Sequence, residues 1–498
     1  MKKILINNNP WQTRIAITHN GDLQNLYLYA HAIQTLERVF FRGTITKILP
    51  GIQTAFVDIG QEKAGFLHIS EIDRELAIER ISKQIQLDDE QPVVRQQLDI
   101  SKILREGDPI LVQVSKEPVY EKGAKLTTCF TLPGRFAVLM PNIPRIGISK
   151  KIEDKDERAR LKDIVRQTLP EGMGAIIRTT SDGRDAKEIS KDIAYLVEIW
   201  QEIEKKYANA VQHEKLYEDL PLALQVVRDY LDEDVEVVIT DNKQDHNLIY
   251  KFVKSMAPEY THKIKLYENA APLFEHYGIE KQIEQVLNKK VELKSGGSLI
   301  IESTEAMTVV DVNTGKFTGK RNMEDTIFQT NLEAADEIAR QLRLRNIGGL
   351  IVIDFIDMAT GANRQKLFKF FEKTLKEKDK FQSVVLKVSE FGLVQMTRKR
   401  SGKTLVQQLT VDCSCCKGSG FVKSLQTECY ATMRKLKEFL QSESCKQAMV
   451  TVNHDLFAYI TNTEYNSILE LEKEFKCKIE LQDSKGLTIA QYKFEKAA

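Results

Sequence analysis

Two apolar stretches end in carboxylates, and those carboxylates are the residues best placed to do chemistry. In Val309-Val310-Asp311-Val312-Asn313, strand alternation puts Asp311 and Asn313 on one face while Val310 and Val312 take the other. In Ile351-Val352-Ile353-Asp354-Phe355-Ile356-Asp357, the same alternation sets Asp354 opposite Ile353 and Phe355, in surroundings where an unpaired charge is costly. If the two strands are neighbours at the usual spacing of about 4.8 Å, Asp311 and Asp354 can share a hard divalent cation such as Mg²⁺, with the Asn313 amide beside it. Magnesium keeps several of its waters, so such a site leaves positions for a phosphate oxygen and an attacking water, which is phosphodiester-hydrolase chemistry. The competing reading is structural: Asp354 or Asp357 caps the next segment, and Asp311 opens a turn toward Thr314-Gly315.

The second candidate is Cys413-Ser414-Cys415-Cys416-Lys417-Gly418-Ser419-Gly420, where Cys413 and Cys416 have the C-x-x-C spacing of a zinc knuckle with glycines after it. A structural Zn²⁺ takes four ligands, and the sequence has no second C-x-x-C or His pair, so the other two are expected from a second copy of the chain. A redox pair, or a site completed by Cys429 or Cys445, stands as the alternative, and Cys415 leaves the choice of ligands open. The third candidate is an aromatic surface. In Thr54-Ala55-Phe56-Val57-Asp58-Ile59, the triplet Ala55, Val57 and Ile59 faces one way and leaves Phe56 toward solvent. On a nucleic-acid-binding barrel, Phe56 and Phe66 would stack bases, each worth about 1–3 kcal/mol. Lys47, Lys116 and Lys122 are then candidate phosphate contacts, unless a neighbouring segment covers Phe56. Arg398-Lys399-Arg400 and Lys403 form a basic run that suits either a backbone path or plain solvated surface.

These residues must be carried by several domains, because 498 residues are too many for one core. A formal net charge of +1 gives no whole-protein sign of nucleic-acid binding, so any such contact rests on local patches. The start, Met1-Lys2-Lys3-Ile4-Leu5-Ile6, is not a signal peptide, no run approaches membrane-spanning length, and seven cysteines fit a reducing compartment; a cytoplasmic protein is expected. Alternating residues around Asn20-Gly21 predict an N-terminal hairpin. Short strands at 44–48, 54–59, 65–69 and 110–114 predict a small barrel, with a charged, helical insertion over 71–107. Strands at 136–140 and 174–180 precede a helix over 187–208, and a strand at 235–240 with a helix at 247–256 is expected to pair with the hairpin. Strands at 291–294, 298–303 and 307–312 form a meander. A long helix with Ile327, Ala334, Ile338 and Leu342 on one face then runs to Gly348-Gly349, and a buried strand follows at 350–356.

Asp311-Val312-Asn313-Thr314-Gly315, the helix 330–345 and Ile353-Asp354-Phe355-Ile356-Asp357-Met358 together resemble the ribonuclease E/G family. The likeness extends through Gly65-Phe66-Leu67, Met140-Pro141-Asn142, Ile177-Arg178-Thr179 and the cysteine knuckle, over essentially the whole chain. It implies an α/β multidomain fold. A split ribonuclease-H-like domain (1–37 and 223–287) would hold an inserted OB-fold RNA-binding barrel (38–128) and a 5′-sensor (129–222). A DNase-I-like catalytic domain (288–408), a zinc link (409–424) and a small α/β dimerisation domain (425–498) would follow. By the same resemblance, Asp311 and Asp354 hold Mg²⁺ with Asn313 in support, Arg178 and Thr179 bind a 5′-monophosphate, and Phe56, Phe66 and Lys122 engage RNA. Cys413 and Cys416 share Zn²⁺ between subunits of a homodimer, which can pair into a dimer of dimers.

The activity implied is single-strand-specific endoribonucleolytic cleavage, acting on rRNA precursors and mRNA and leaving 5′-phosphate ends. The length points to the shorter branch of the family, without the long disordered extension of larger members. Taken without the family, Arg178 and Thr179 offer a guanidinium fork and a hydroxyl that suit phosphate, and equally an ordinary salt bridge. Two departures touch the knuckle: Ser414 stands where Pro is usual, and Cys415 adds a thiol. Two rival functions remain. A non-catalytic RNA-binding or ribosome-assembly factor would be excluded by metal-dependent cleavage, and a DNA nuclease by matched RNA and DNA oligomers.

Overall fold

The chain begins as an antiparallel meander of β1 (Lys2–Asn9), β2 (Gln12–His19) and β3 (Asp22–Ala30), with Ile4, Leu5 and Ile6 of β1 all fully buried. Asn20 and Gly21 both adopt positive φ, 53° and 90°, as a two-residue hairpin turn requires. The computed structural model describes residues 1–32, 35–73, 99–118, 123–314, 323–389, 391–400, 402–443 and 445–496. They form two units, Met1–Val406 and Gln407–Ala498.

Next come β4 (Phe40–Leu49), β5 (Thr54–Asp58), β6 (Gly65–His68), β7 (Pro109–Lys116) and β8 (Lys125–Thr127), running β4-β5-β6-β8-β7; β4 also pairs with β7, closing a barrel. Ile45, Ala55, Val57, Leu67, Val112 and Leu126 fill it. Gly65 is required there, because a Cβ would meet the Leu126 side chain at 2.6 Å. Most of the insertion expected over 71–107 lies outside the described residues. Its described end is a single helical turn, Ile100–Ile103, whose isoleucines enter the barrel core.

A second sheet joins β9 (Leu132–Pro133), β10 (Ala137–Met140), β11 (Ile146–Ile148) and β12 (Gly174–Ile177), in order β11-β12-β10-β9, with α1 (Lys155–Thr168) and α2 (Ala186–Asn209) packed on it. Apolar periodicity does not announce α1, which buries only Leu161 and Val165; its start is fixed by Asp154, whose carboxylate accepts the Asp156 and Glu157 N–H groups. The strand expected over 174–180 stops at Ile177, and Thr179–Ser181 turn into a 3₁₀ segment. After β13 (Lys215–Tyr217), which returns to β4, and α3 (Leu222–Tyr230), the strand β14 (Val235–Thr240) lies parallel to β1. α4 (Lys243–Met256) and β15 (Ile264–Leu266) follow, giving the sheet β15-β14-β1-β2-β3.

The largest sheet runs β16 (Lys290–Glu292), β17 (Ser298–Ser303), β18 (Met307–Asn313), β19 (Gly349–Asp354), then β21 (Leu393–Arg398) and β20 (Ser383–Val385). β18 and β19 are parallel and joined by α5 (Met323–Leu344); α6 (Gly361–Lys378) follows β19. Helix α5 ends at Leu344, short of Gly348-Gly349, with Asn346 in the left-handed region at φ 52°. β19 also departs from expectation. It is shorter than 350–356 and is not buried on both faces: Ile351 and Ile353 are fully buried, whereas Leu350 is 41% exposed and Asp354 faces solvent. One face of this sheet is therefore left open, and the carboxylates use it.

The second unit contains α7 (Leu425–Ser442), β22 (Gln447–Asn453), α8 (His454–Thr463), α9 (Tyr465–Phe475), β23 (Lys478–Ser484) and β24 (Tyr492–Lys496), with strand order β23-β22-β24. Cys429, Leu436, Val450, Ile460 and Ile468 form its core. Among the described residues no helix is long and apolar enough to cross a membrane.

Candidate active site

Parallel pairing of β18 with β19 runs in register from Met307 opposite Leu350 to Asp311 opposite Asp354. Val310 and Ile353 anchor the strand ends in the core, so both carboxylates stand on the open face. Asn313 reaches back, its Nδ2 donating to Asp311 Oδ2 at 2.8 Å. Partial burial pushes the Asp354 carboxyl up, and the negative charges of Asp311 and Asp357 push it further. Two like charges brought face to face by strand register fit a cation between them. Among the described residues no group of three or more His, Cys, Asp or Glu gathers as metal ligands; two carboxylates with water filling the other positions are the donor set Mg²⁺ accepts.

The capping alternative does not hold for Asp354 or Asp357. Helix α6 is capped by Thr360, whose hydroxyl accepts the Asn363 N–H, while Glu324 accepts the N–H groups of Ala359 at 3.1 Å and Thr360 at 3.3 Å. Buried Asn331 of α5 was not singled out from sequence. Its amide donates to Ile356 O at 2.8 Å and accepts the Ile356 N–H at 3.0 Å, which pins the chain between Asp354 and Asp357. Its signal was an amide on the apolar face of a helix.

On the barrel's outer face, strand register lines up one row: Lys47 opposite Phe56, Phe56 opposite Phe66, Phe66 opposite Lys125, and Lys125 opposite Lys116. Phe56 and Phe66 are half-buried, while Ala55, Val57 and Leu67 on the other face are fully buried. Lys47 and Lys116 are exposed; Lys125 pairs with Glu71. The alternation of Lys125-Leu126-Thr127 could have flagged Lys125. Lys122 lies outside the described residues. The row presents two rings flanked by cations, the pattern that stacks bases and holds the phosphates between them.

Arg178 follows β12, and its guanidinium donates to Gly134 O at 2.5 Å and Asp229 Oδ1 at 2.8 Å. Burial pushes the Asp229 carboxyl up, but Arg178 and Arg228 outweigh it and hold it below the ordinary carboxylate range. The salt-bridge reading of Arg178 is thus the geometry observed, and a bound phosphate would have to join this pair. Thr179 is exposed, its hydroxyl 3.0 Å from that of Ser149. Arg398 drops out of the basic run altogether: its side chain is fully buried and forked onto Asp379, at 2.5 and 3.0 Å.

In the second unit, Cys413 and Cys415 are exposed and Cys416 half-buried. Hydrogen bonds from the backbone of Cys416 and Cys415 hold the Cys413 thiol below its ordinary value, and Lys417 N donates to Cys413 O at 2.7 Å. Such a turn favours thiolate and fits half of a zinc site. Completion by Cys429 or Cys445 is not what the fold provides, since Cys429 is fully buried in the core and Cys445 sits against Cys477, Sγ to Sγ 3.5 Å.

Comparison with known proteins gives three profile matches: the Ribonuclease E/G family over residues 131–401, the S1 RNA binding domain over 40–127, and the RNase E/G, Thioredoxin-like domain over 412–497. The chain is 39% identical over 482 residues to Ribonuclease G of Escherichia coli (strain K12), covering 96% of this chain and 97% of that one. Ribonuclease G of Haemophilus influenzae is 39% identical over 469 residues, covering 94% and 93%. Ribonuclease E of Escherichia coli (strain K12) is 35% identical over 95% of this chain, which matches 44% of that longer protein.

Proposed function

This chain belongs to the ribonuclease E/G family, and from that footing we propose that it is a single-strand-specific endoribonuclease of the ribonuclease G kind, hydrolysing RNA phosphodiesters with Mg²⁺. The observation that carries the reading is the register pairing of Asp311 with Asp354 on the open face of a sheet. Bound there, Mg²⁺ supplies Lewis acidity toward a phosphate oxygen and lowers the pKa of a water. Asp311 and Asp354 set its position, Asn313 fixes the rotation of the Asp311 carboxylate, and Asn331 holds the chain beyond Asp354. Phe56 and Phe66 stack bases of a single strand while Lys47, Lys116 and Lys122 meet its phosphates. Water, rather than the ribose 2′-hydroxyl, attacks, so products carry 5′-phosphate and 3′-hydroxyl ends.

The finer assignments belong to the same proposal. The sheet holding β1 and β14 is the split ribonuclease-H-like part, the barrel the OB-fold RNA-binding domain, residues 129–222 the 5′-sensor, and 288–408 the DNase-I-like catalytic domain. Arg178 and Thr179 grip a 5′-monophosphate and tether the substrate, raising its effective concentration. Cys413 and Cys416 share Zn²⁺ with a second copy of the chain through the link at 409–424, beside the small dimerisation domain at 425–498. The setting is cytoplasmic rRNA processing and mRNA decay.

The test is cleavage of a single-stranded RNA with Mg²⁺, carrying either a 5′-monophosphate or a 5′-triphosphate, by the wild type and Asp354→Asn. Internal cuts with 5′-phosphate products, faster on the monophosphate and reduced about a thousandfold or more in the variant (~4 kcal/mol), are expected. Binding without cutting would return the protein to the RNA-binding-factor reading, and an equally active variant would move the chemistry elsewhere.

A further inference from the structure

Beside the carboxylate pair lies a cleft of about 740 Å³, lined by Met323, Ile327, Asp357, Met358, Arg364 and Phe391. It is tied to the site through Asp357, which lies just past Asp354 in the chain and whose charge acts on Asp354. Phe391 is 81% exposed and Met323 79%. Both line the cleft, together with the partly buried Ile327. Asp357 forms an edge. It does not cap α6, and no described residue donates to it, whereas Glu324 is engaged with the start of that helix and Arg364 Nη1 with Met358 O at 2.8 Å. Gly392 holds wall and edge together: with φ 76°, it packs so closely that a Cβ would lie 3.0 Å from Asp357 Oδ1.

The chemistry narrows the occupant. Asp357 and Glu324 outnumber the single Arg364 guanidinium in the lining, so the charge balance disfavours a phosphate, and an aliphatic group would leave Asp357 unused. A nucleobase satisfies both surfaces, with a flat face for the Phe391 ring and N–H donors at its edge for the carboxylate. Resting on the endoribonuclease reading above, we propose that this cleft takes the base of a nucleotide flanking the scissile phosphate, stacked on Phe391 with an exocyclic amino group donating to Asp357. Phe391 and Asp357 are then specificity-determining residues. Adenine, cytosine and guanine carry such an amino group; uracil does not.

The experiment uses the full chain and one single-stranded RNA of defined cleavage site, in which the nucleotide on either side of the scissile phosphate is intact or abasic, or is changed between cytosine and uracil. The abasic change at one flank is expected to slow wild-type cleavage about tenfold. Phe391→Ala should bring intact and abasic substrates to the same rate, and Asp357→Asn should abolish the preference for cytosine over uracil. Equal wild-type rates on intact and abasic RNA at both flanks, or a Phe391→Ala loss equal on the two, would overturn the proposal. Absence of any Mg²⁺-dependent cut by the wild type is a different result, which removes the parent reading and this one with it.

Discussion

Asp354 sits opposite Asp311, and partial burial together with Asp311 and Asp357 raises its carboxyl above the ordinary range. Because the folded chain then holds this proton to higher pH than the unfolded chain does, stability falls as pH rises through that window and stays lower above it. At neutral pH the ionised pair therefore weighs against folding, a cost that the proposed Mg²⁺ would offset. Without Mg²⁺, Asp354→Asn should melt slightly above the wild type; added Mg²⁺ should raise the melting temperature of the wild type alone. Cleavage should fall as pH is lowered into the elevated carboxylate range. A variant that melts lower in both conditions, or gains as much from Mg²⁺, would contradict this account. Sequence alternation alone placed Asp311 and Asn313 on one face. It could not give the contact between Gly392 and Asp357, or the grip of Asn331, because those depend on which segments meet in space.

Among the elements, β18 and β19 were legible as strands but their register was not, since register is set by how α5 packs across the sheet. The continuous apolar run of β19 predicts burial on both faces, whereas the fold leaves Leu350 and Asp354 exposed. Helix α1 was missed for the opposite reason, having too few buried residues to show a period. The basic run at 398–400 was misleading in the same manner: composition cannot tell a solvated arginine from one locked inside. Arg398 ties the end of β21 to Asp379 just after α6, and its Nη1 donates to Ile347 O at 2.6 Å before β19. Breaking this buried pair by Arg398→Met should cost about 3–5 kcal/mol, read as a lower denaturation midpoint in urea; a change below about 1 kcal/mol would show that the pair is dispensable.

At the scale of the molecule, β1 and β14 join one sheet although Lys2 pairs with Val235, so the barrel and the sheet carrying Arg178 are insertions within a folded frame. The apolar strand at 235–240, too small a piece to fold alone, made its pairing with the N-terminal hairpin legible from the residues, and the family resemblance added what lies between the two halves. The second unit raises a question of assembly, because the C-x-x-C pair Cys413 and Cys416, even with Cys415 beside it, offers fewer than the four ligands zinc takes. Changing both to Ser should give monomers with little bound zinc in sedimentation and metal analysis, and an unchanged oligomer would count against a shared ion. The crossover from β18 through α5 to β19 also has a consequence in time. On the proposed assignment, Asp354 is synthesised after Asp311 and after the whole barrel, so a nascent chain that ends between the two strands carries only one carboxylate of the pair. Ribosome-bound chains stalled before residue 349 are expected to be inert toward RNA that the finished chain cleaves; cutting by the stalled chain would show that the second strand is not needed.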